Sequence, residues 1–445
     1  MGGVIGQIDL ADGSAITNVE NHGNITHATA DMTSMTLHMG GIIGFVNKSA
    51  ITIGDATKEA ADIKNYGKIQ SSKKSKQFGL GGIIGRINST PTNVVRIQNC
   101  SNELTATASQ TGWLQTGNVS GVGGIVGMVH ATKSTTGAKT NILSCTNAAE
   151  VKKDGQGLQS NFHVGGIVGN ITEKASDDAN VTVTAHKVII SSCENTGNVS
   201  MSDNNYGRSS NWCYTGGVVG YFGYSSGEVK ECINRGKVSN YFWSKTDGCV
   251  RIGGITGNAV NQTYVNCKNY GTVSEESKSV QCDAGGIIGR VANGAIKITN
   301  CDNFGDLQSK NTAAAHTNGH YISLGGIVGR IANEAFVMDG CDNNCTISNT
   351  NTTNTTEIMG GIIGFGAKKG TVKNCSCITT ITNSRTTDVI RSGVFGGSWT
   401  SGFTISSCSA KGKYGETPIT KDNLNTYAFG SGSTFKDVTN ITYAE

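Results

Sequence analysis

A glycine pair followed by Ile or Val, one further residue and another glycine recurs along the whole chain, and nothing else constrains the fold as strongly. The block opens at Gly2, Gly40, Gly81, Gly123, Gly165, Gly216, Gly253, Gly285, Gly325 and Gly360, with a degenerate eleventh copy at Ser392-Gly393-Val394-Phe395-Gly396. Successive starts lie 32 to 51 residues apart and average 39. Self-similarity at such a period marks a stacked array rather than separate globular domains, because one unit of this size cannot bury its own apolar face.

Each block is followed by a run centred on Cys-x-Asn-x-Gly-x-Val, clearest at Cys193–Val199, Cys232–Val238 and Cys267–Val273. The cysteine position reads Val19 and Ile63, then Cys100, Cys145, Cys193, Cys232, Cys267, Cys301, Cys341, Cys375 and Cys408. Two residues on stand Asn21, Asn65, Asn102, Asn147, Asn195, Asn234, Asn269, Asn303 and Asn343, before the pattern lapses to Cys377 and Ala410.

The apolar runs are too short for helices and are rich in Ile, Val and Thr, so they read as strands of about four to six residues. Two or three such strands per repeat, with Gly and Asn at ends that need positive φ, predict coils stacked like strand on like strand. The expected fold is all-β: a parallel β-solenoid of about eleven coils over residues 1–414, closed by a non-repeat tail at 415–445 containing Phe429, Phe435 and Tyr443. Stacking at about 4.8 Å per coil makes a rod roughly 50 Å long. The variable coil length and the absence of a strict hexapeptide period point to a right-handed β-helix. Composition agrees: 62 glycines and 2 prolines suit tight corners in a chain that needs its N–H groups for ladders.

An inward cysteine column is expected to form a ladder of buried thiols, since Val and Ile fill the same position in the first two coils. Parallel Cβ vectors on neighbouring coils work against disulfides within it. Among the remaining cysteines, Cys213, Cys249, Cys282, Cys345 and Cys377, a Cys249–Cys282 or a Cys213–Cys249 bridge stays open. The asparagine column is expected at a left-handed corner, its amides bonding from coil to coil.

Several motifs read as solvated loop rather than chemistry. His316 and His320 lack a Cys or carboxylate companion. Asp177-Asp178 has no matching acidic cluster for glycoside chemistry, and Asn349–Thr356 is a single polar tract rather than a repeated threonine face. No metal or cofactor is expected. The net charge is +4 with short basic clusters, Lys73-Lys74 with Lys76, Lys152-Lys153 and Lys368-Lys369, which gives little footing for nucleic acid. No run of 18 apolar residues is present to span a membrane as a helix. Met1 runs straight into the first Gly pair, so no signal peptide is read, and targeting is expected from an upstream segment.

The [IV]-x-[NS]-C-x-N-x-G-x-V run behind a G-[IV]-[IV]-G core resembles the GLUG-motif repeat of large secreted or surface-anchored bacterial proteins. The resemblance covers nearly all of residues 2–414, with Ile or Val in place of the motif's Leu and Cys where Ser is frequent. It carries no catalytic residues. It implies an extracellular, bacterial, non-catalytic stalk or adhesin scaffold that meets a surface glycan or protein through its variable loops, such as Asn170–Val188, Gln308–Ser323 and Ser348–Ile358. Two other readings stay open. In one, uncapped N-terminal coils let subunits stack head to tail as a filament; in the other, the chain is a carbohydrate-active β-helix such as a depolymerase or phage tailspike.

Overall fold

The computed structural model describes the chain outside residues 10–11, 29–30, 74, 90–92, 105–106, 111–119, 133–138, 155–160, 175–185, 204–211, 224–225, 244–248, 279–280, 293, 312–320, 333–334, 351–355, 384–389, 401, 432, 435–439 and 445. One coil serves for all. Cys249–Gly253 leads into the glycine pair, Thr256–Ala259 leaves it, Gln262–Val265 follows, and Lys268–Asn269 and Val273–Lys278 complete the turn. We call the sheets to which these strands belong A, B, C and D, with D holding the last two of each coil. A coil therefore carries five strands, where the sequence pattern indicated two or three.

Each strand pairs in parallel with its counterpart one coil away. Among the described residues sheet B has eleven strands, from Ile5–Asp9 to Gly396–Trp399, sheet C eleven, and sheet A ten. The molecule is a parallel β-solenoid. Register follows the repeat: Gly216 pairs Gly253, Gly253 pairs Gly285, and Asn234 pairs Asn269. Two apolar columns run its length. One lies inside sheets B and C and the cysteine strands of D, with Ile255, Tyr264 and Cys267 as members. The other lies between sheet A and the outer strands of D, with Val250, Ile252 and Val273.

The glycine pair is required by close approach, not by a left-handed backbone. A Cβ on Gly254 would overlap the Gly286 carbonyl oxygen and the Asn269 side chain, and one on Gly253 the Thr256 carbonyl oxygen. Neither residue has positive φ. The left-handed position sits elsewhere, immediately before the cysteine: Asn99, Ser144, Ser192, Glu231, Asn266, Asn300, Asn374 and Ser407 have φ between 51° and 55°. In the coil before Asn374 a glycine, Gly340 at φ 64°, takes the position. The asparagine column does not occupy the left-handed corner, contrary to the expectation; it lies on strands two residues beyond the cysteine.

At the C-terminal end the tail folds over the last coil. Ile441–Tyr443 adds a parallel strand to Cys408–Tyr414, and Thr417–Pro418 pairs with that strand antiparallel. Val394 and Phe395 donate to the carbonyls of Tyr427 and Ala428. Phe429 packs edge-on to Trp399, ring centroids 5.2 Å apart. Phe435 lies outside the described residues. At the other end, Ile5–Asp9 and Asp12–Ile16 are the outermost strands of sheets B and C. Among the described residues no helix is long and apolar enough to cross a membrane.

Candidate functional site

The repeated polar residues serve the coil itself. The asparagine amides form an unbroken chain from Asn21 to Asn65, Asn102, Asn147, Asn195, Asn234, Asn269, Asn303 and Asn343, each Nδ2 donating to the next Oδ1 at 2.7–2.9 Å. Asn343 ends the chain on the Thr379 hydroxyl at 2.9 Å, because Cys377 and Ala410 stand at the asparagine position in the last coils. Most of these amides also donate to the carbonyl two residues on, as Asn234 does to Gly236 at 2.9 Å. From Asn65 to Asn343 the side chains are buried, so a ligand meets none of them.

The nine ladder cysteines, Cys100 to Cys408, are likewise buried. Each thiol donates to the carbonyl two residues back, at 3.3 Å for Cys145 to Leu143 and for Cys232 to Lys230, spanning the left-handed residue between them. A thiol thus ties down the sharp bend that precedes it. Burial pushes the thiols of Cys100, Cys193, Cys267 and Cys301 well up from their ordinary value; it acts the same way on Cys145 and Cys232, where hydrogen bonds from neighbouring thiols pull the other way, so inertness rests on their burial. None of the fourteen cysteines forms a disulfide. A Cys249 bridge is excluded by register: Cys249 pairs Trp212 and Gln281, whereas Cys213 and Cys282 both pair Val250. Alternation therefore sends Cys249 to the opposite face of sheet A from the other two.

Residues of a different character collect where sheets A and B diverge from the glycine pair. Two positions before the pair, successive coils carry His163, Tyr214, Arg251 and Asp283; five after it they carry Asn170, Tyr221, Asn258, Arg290 and Arg330. The two columns meet across the seam. His163 stacks on Tyr214 and Tyr221 at 4.9 and 4.8 Å, and the two tyrosines stack on each other at 5.2 Å. The Arg251 guanidinium lies 4.4 Å from the Trp212 ring and 5.0 Å from that of Tyr214. Farther along, Arg330 lies 4.8 Å from Tyr321, which meets Phe365 edge-on.

This seam is buried and incompletely satisfied. Arg251 Nη1 donates to the Tyr214 hydroxyl at 2.9 Å and to Asn258 Oδ1 at 3.0 Å, but its Nε and Nη2 have no partner among the described residues. Nε of Arg290 and of Arg330 are also without one, while the buried His163 ring and Asn170 amide have at most a weak contact with each other. Asp283 Oδ2 is 3.9 Å from Arg251 Nε and 4.0 Å from Arg290 Nη1, outside hydrogen-bond reach. Desolvation lowers His163 to about 3, so the imidazole is neutral at ordinary pH, and pushes the Tyr214 phenol above its usual range. Native interiors seldom leave so many polar atoms unmet in one place.

Sequence reasoning missed these residues because it followed what repeats. Their signal is the reverse, a column that reads Gly79 and Gly121 in earlier coils and then His, Tyr, Arg and Asp. In sequence, long insertions outside the described residues adjoin the strands of these two sheets. One set enters sheet A, as at 204–211 and 244–248, and the other leaves sheet B, as at 175–185. His316, His320, Asp177 and Asp178 lie outside the described residues. Elsewhere, an open depression of about 460 Å³ over sheet C is bordered by Lys297, Phe336 and Lys369. An exposed row on sheet D stacks Tyr270 on Phe304 at 5.1 Å, with Arg235 4.8 Å from Tyr270. Among the described residues no group of three or more His, Cys, Asp or Glu side chains is placed to hold a metal ion. Comparison with protein families, curated proteins and solved structures finds no match.

Proposed function

We propose that the chain is a non-catalytic extracellular scaffold, a bacterial surface or secreted stalk that binds a glycan or protein along the side where sheets A and B meet. One observation carries this reading. The repeated Asn and Cys columns are consumed in holding coil to coil, while the unrepeated Arg, His, Tyr and Trp side chains gather at one seam. Variable loops on one side of a solenoid are where such arrays recognise partners. Against a depolymerase, the facing columns of the seam offer Asp283 as their sole carboxylate among the described residues, and hydrolysis of a glycosidic bond ordinarily uses two. The test is a glycan array read beside an assay for new reducing ends. Retention without product release supports the scaffold, and turnover of any retained polysaccharide refutes it.

A further inference from the structure

The outer face of sheet D carries an apolar ridge in open solvent. Tyr270, Phe304 and Ile378 each stand one residue beyond the buried asparagine position, so alternation turns them outward, and they are 41%, 40% and 44% exposed. Tyr270 stacks on Phe304 with ring centroids 5.1 Å apart and 14° between the planes, and Arg235, one coil earlier, lies 4.8 Å from the Tyr270 ring. The ring faces are spent on one another along the rod, and what projects is a row of edges. Such a ridge suits insertion among the side chains of a facing sheet rather than a sugar laid flat on a ring.

Charge changes sign across the same ridge. The coils of Arg235 and Tyr270 place Arg235, Lys237 and Lys268 on this face, and the next two coils place Asp302, Asp306 and Asp342 there. Arg235 meets Glu194 at 2.6 Å and Lys268 meets Asp302 at 3.4 Å. Farther out, Glu276 and Lys310 neutralise each other at 2.9 Å. Lys237 on one side, and Asp306 and Asp342 on the other, form no ion pair among the described residues.

This arrangement is self-complementary. Take a two-fold axis that lies between two facing D sheets and runs along the strands, between the coils of Tyr270 and Phe304. It reverses the order of the coils, sets Tyr270 against Phe304 of the other copy, and sets each basic half against an acidic half. A two-fold along the rod would instead set basic on basic and acidic on acidic, which like-charge repulsion opposes.

We propose that sheet D pairs face to face with sheet D of a second copy of this chain, the two rods antiparallel, with Tyr270 and Phe304 at the centre and basic coils on acidic coils. The contact uses no residue of the seam and stands independently of the scaffold reading.

The test is sedimentation equilibrium of the full chain over a hundredfold concentration range reaching about 0.1 mM. It is run on the unaltered chain, on Phe304→Ala, and on the charge reversals Lys237→Glu with Lys268→Glu and Asp306→Lys with Asp342→Lys, each checked for folding by circular dichroism. The unaltered chain is expected to form a dimer that grows no further, with a dissociation constant rising at least tenfold between about 0.05 and about 0.5 M salt. Phe304→Ala should raise the constant at least tenfold at fixed salt. Each reversal alone should abolish pairing, and an equimolar mixture of the two should restore it, because a wholly acidic face then meets a wholly basic one. A monomer throughout the range, growth beyond the dimer, a dimer indifferent to the substitutions, or folded reversal variants that stay apart on mixing overturns the proposal. Should a reversal variant fail to fold, Phe304→Ala and the salt series decide, and an unchanged constant in both overturns it.

Discussion

Replacing Asn195 with Ala tests whether the asparagine chain holds coil to coil. Asn195 Nδ2 donates to the Gly197 carbonyl and to Asn234 Oδ1, both at 2.8 Å, and its Oδ1 accepts from Asn147 Nδ2 at 2.7 Å. All of this is buried, and the amide also fills the space left by Gly166, whose hypothetical Cβ would overlap it. Alanine leaves the Gly197 and Asn234 oxygens without those donors, while Asn147 keeps its bond to the Ala149 carbonyl. With about 1–3 kcal/mol for each of the two orphaned buried groups, the loss is about 2–6 kcal/mol. A stack that behaves as a chain of nearest neighbours should feel this locally, loosening the coils on either side before the ends. The control is Asn198→Ala, three residues away, where an exposed side chain accepts one bond from the Lys237 amide at 3.1 Å. Urea unfolding followed by hydrogen exchange and mass spectrometry reads both variants. If Asn195→Ala costs no more than Asn198→Ala, or if the loosening is not centred on its coil, the ladder argument is refuted.

Other consequences follow from the same packing. Gly217→Ala should cost about 3 kcal/mol or prevent folding, since its methyl would overlap the Gly254 carbonyl oxygen and the Asn234 side chain. Gly6→Ala, with nothing within 4 Å of its hypothetical Cβ, should change stability by less than about 0.5 kcal/mol in the same urea assay. A thiol reagent should modify Cys249, the one half-buried cysteine, and reach all fourteen when urea is added; fast native labelling of Cys193 or Cys232 would contradict an inert ladder. Acid should destabilise the fold. Burial holds His38 and His163 near 3 and His186 near 4, below their unfolded value of about 6.5. The unfolded chain then takes up protons that the folded chain refuses, so stability falls as pH drops from about 6.5 towards 3, by up to about 1.4 kcal/mol per histidine per pH unit. Glu275, raised by burial to about 7, acts in the opposite sense, losing its contribution as pH rises from about 4.5 to 7, and is outnumbered. Urea midpoints at pH 7, 5 and 4 check the net sign.

The fold was legible where a residue does the same work in every coil. Cys232 and Asn234 recur at fixed spacing because each supports an identical bend and an identical bond to its neighbour, so their register could be read directly. Why the position tolerates so little was less legible. The pair Gly253-Gly254 looks like a turn in sequence, but its demand comes from Gly286 and Asn269 in the next coil and later in its own. The left-handed residue was hidden for a related reason: Asn, Ser, Glu and Gly all serve there, so no single letter marks it. The seam was the least legible part. His163, Tyr214, Arg251 and Asp283 lie 32 to 51 residues apart in sequence and are brought into one column by the register of sheet A alone.

The central claim is that recognition takes place on the seam of sheets A and B and not on the aromatic row of sheet D. A hydrogen-exchange footprint of the full chain with a glycan retained on the array, compared with one that is not retained, measures this directly. The account predicts slowed exchange in Trp212–Gly216, Cys249–Gly253, Thr256–Ala259 and Gln281–Gly285, with no change around Tyr270 and Phe304. Protection centred on Tyr270 and Phe304, with the seam unaffected, would contradict it.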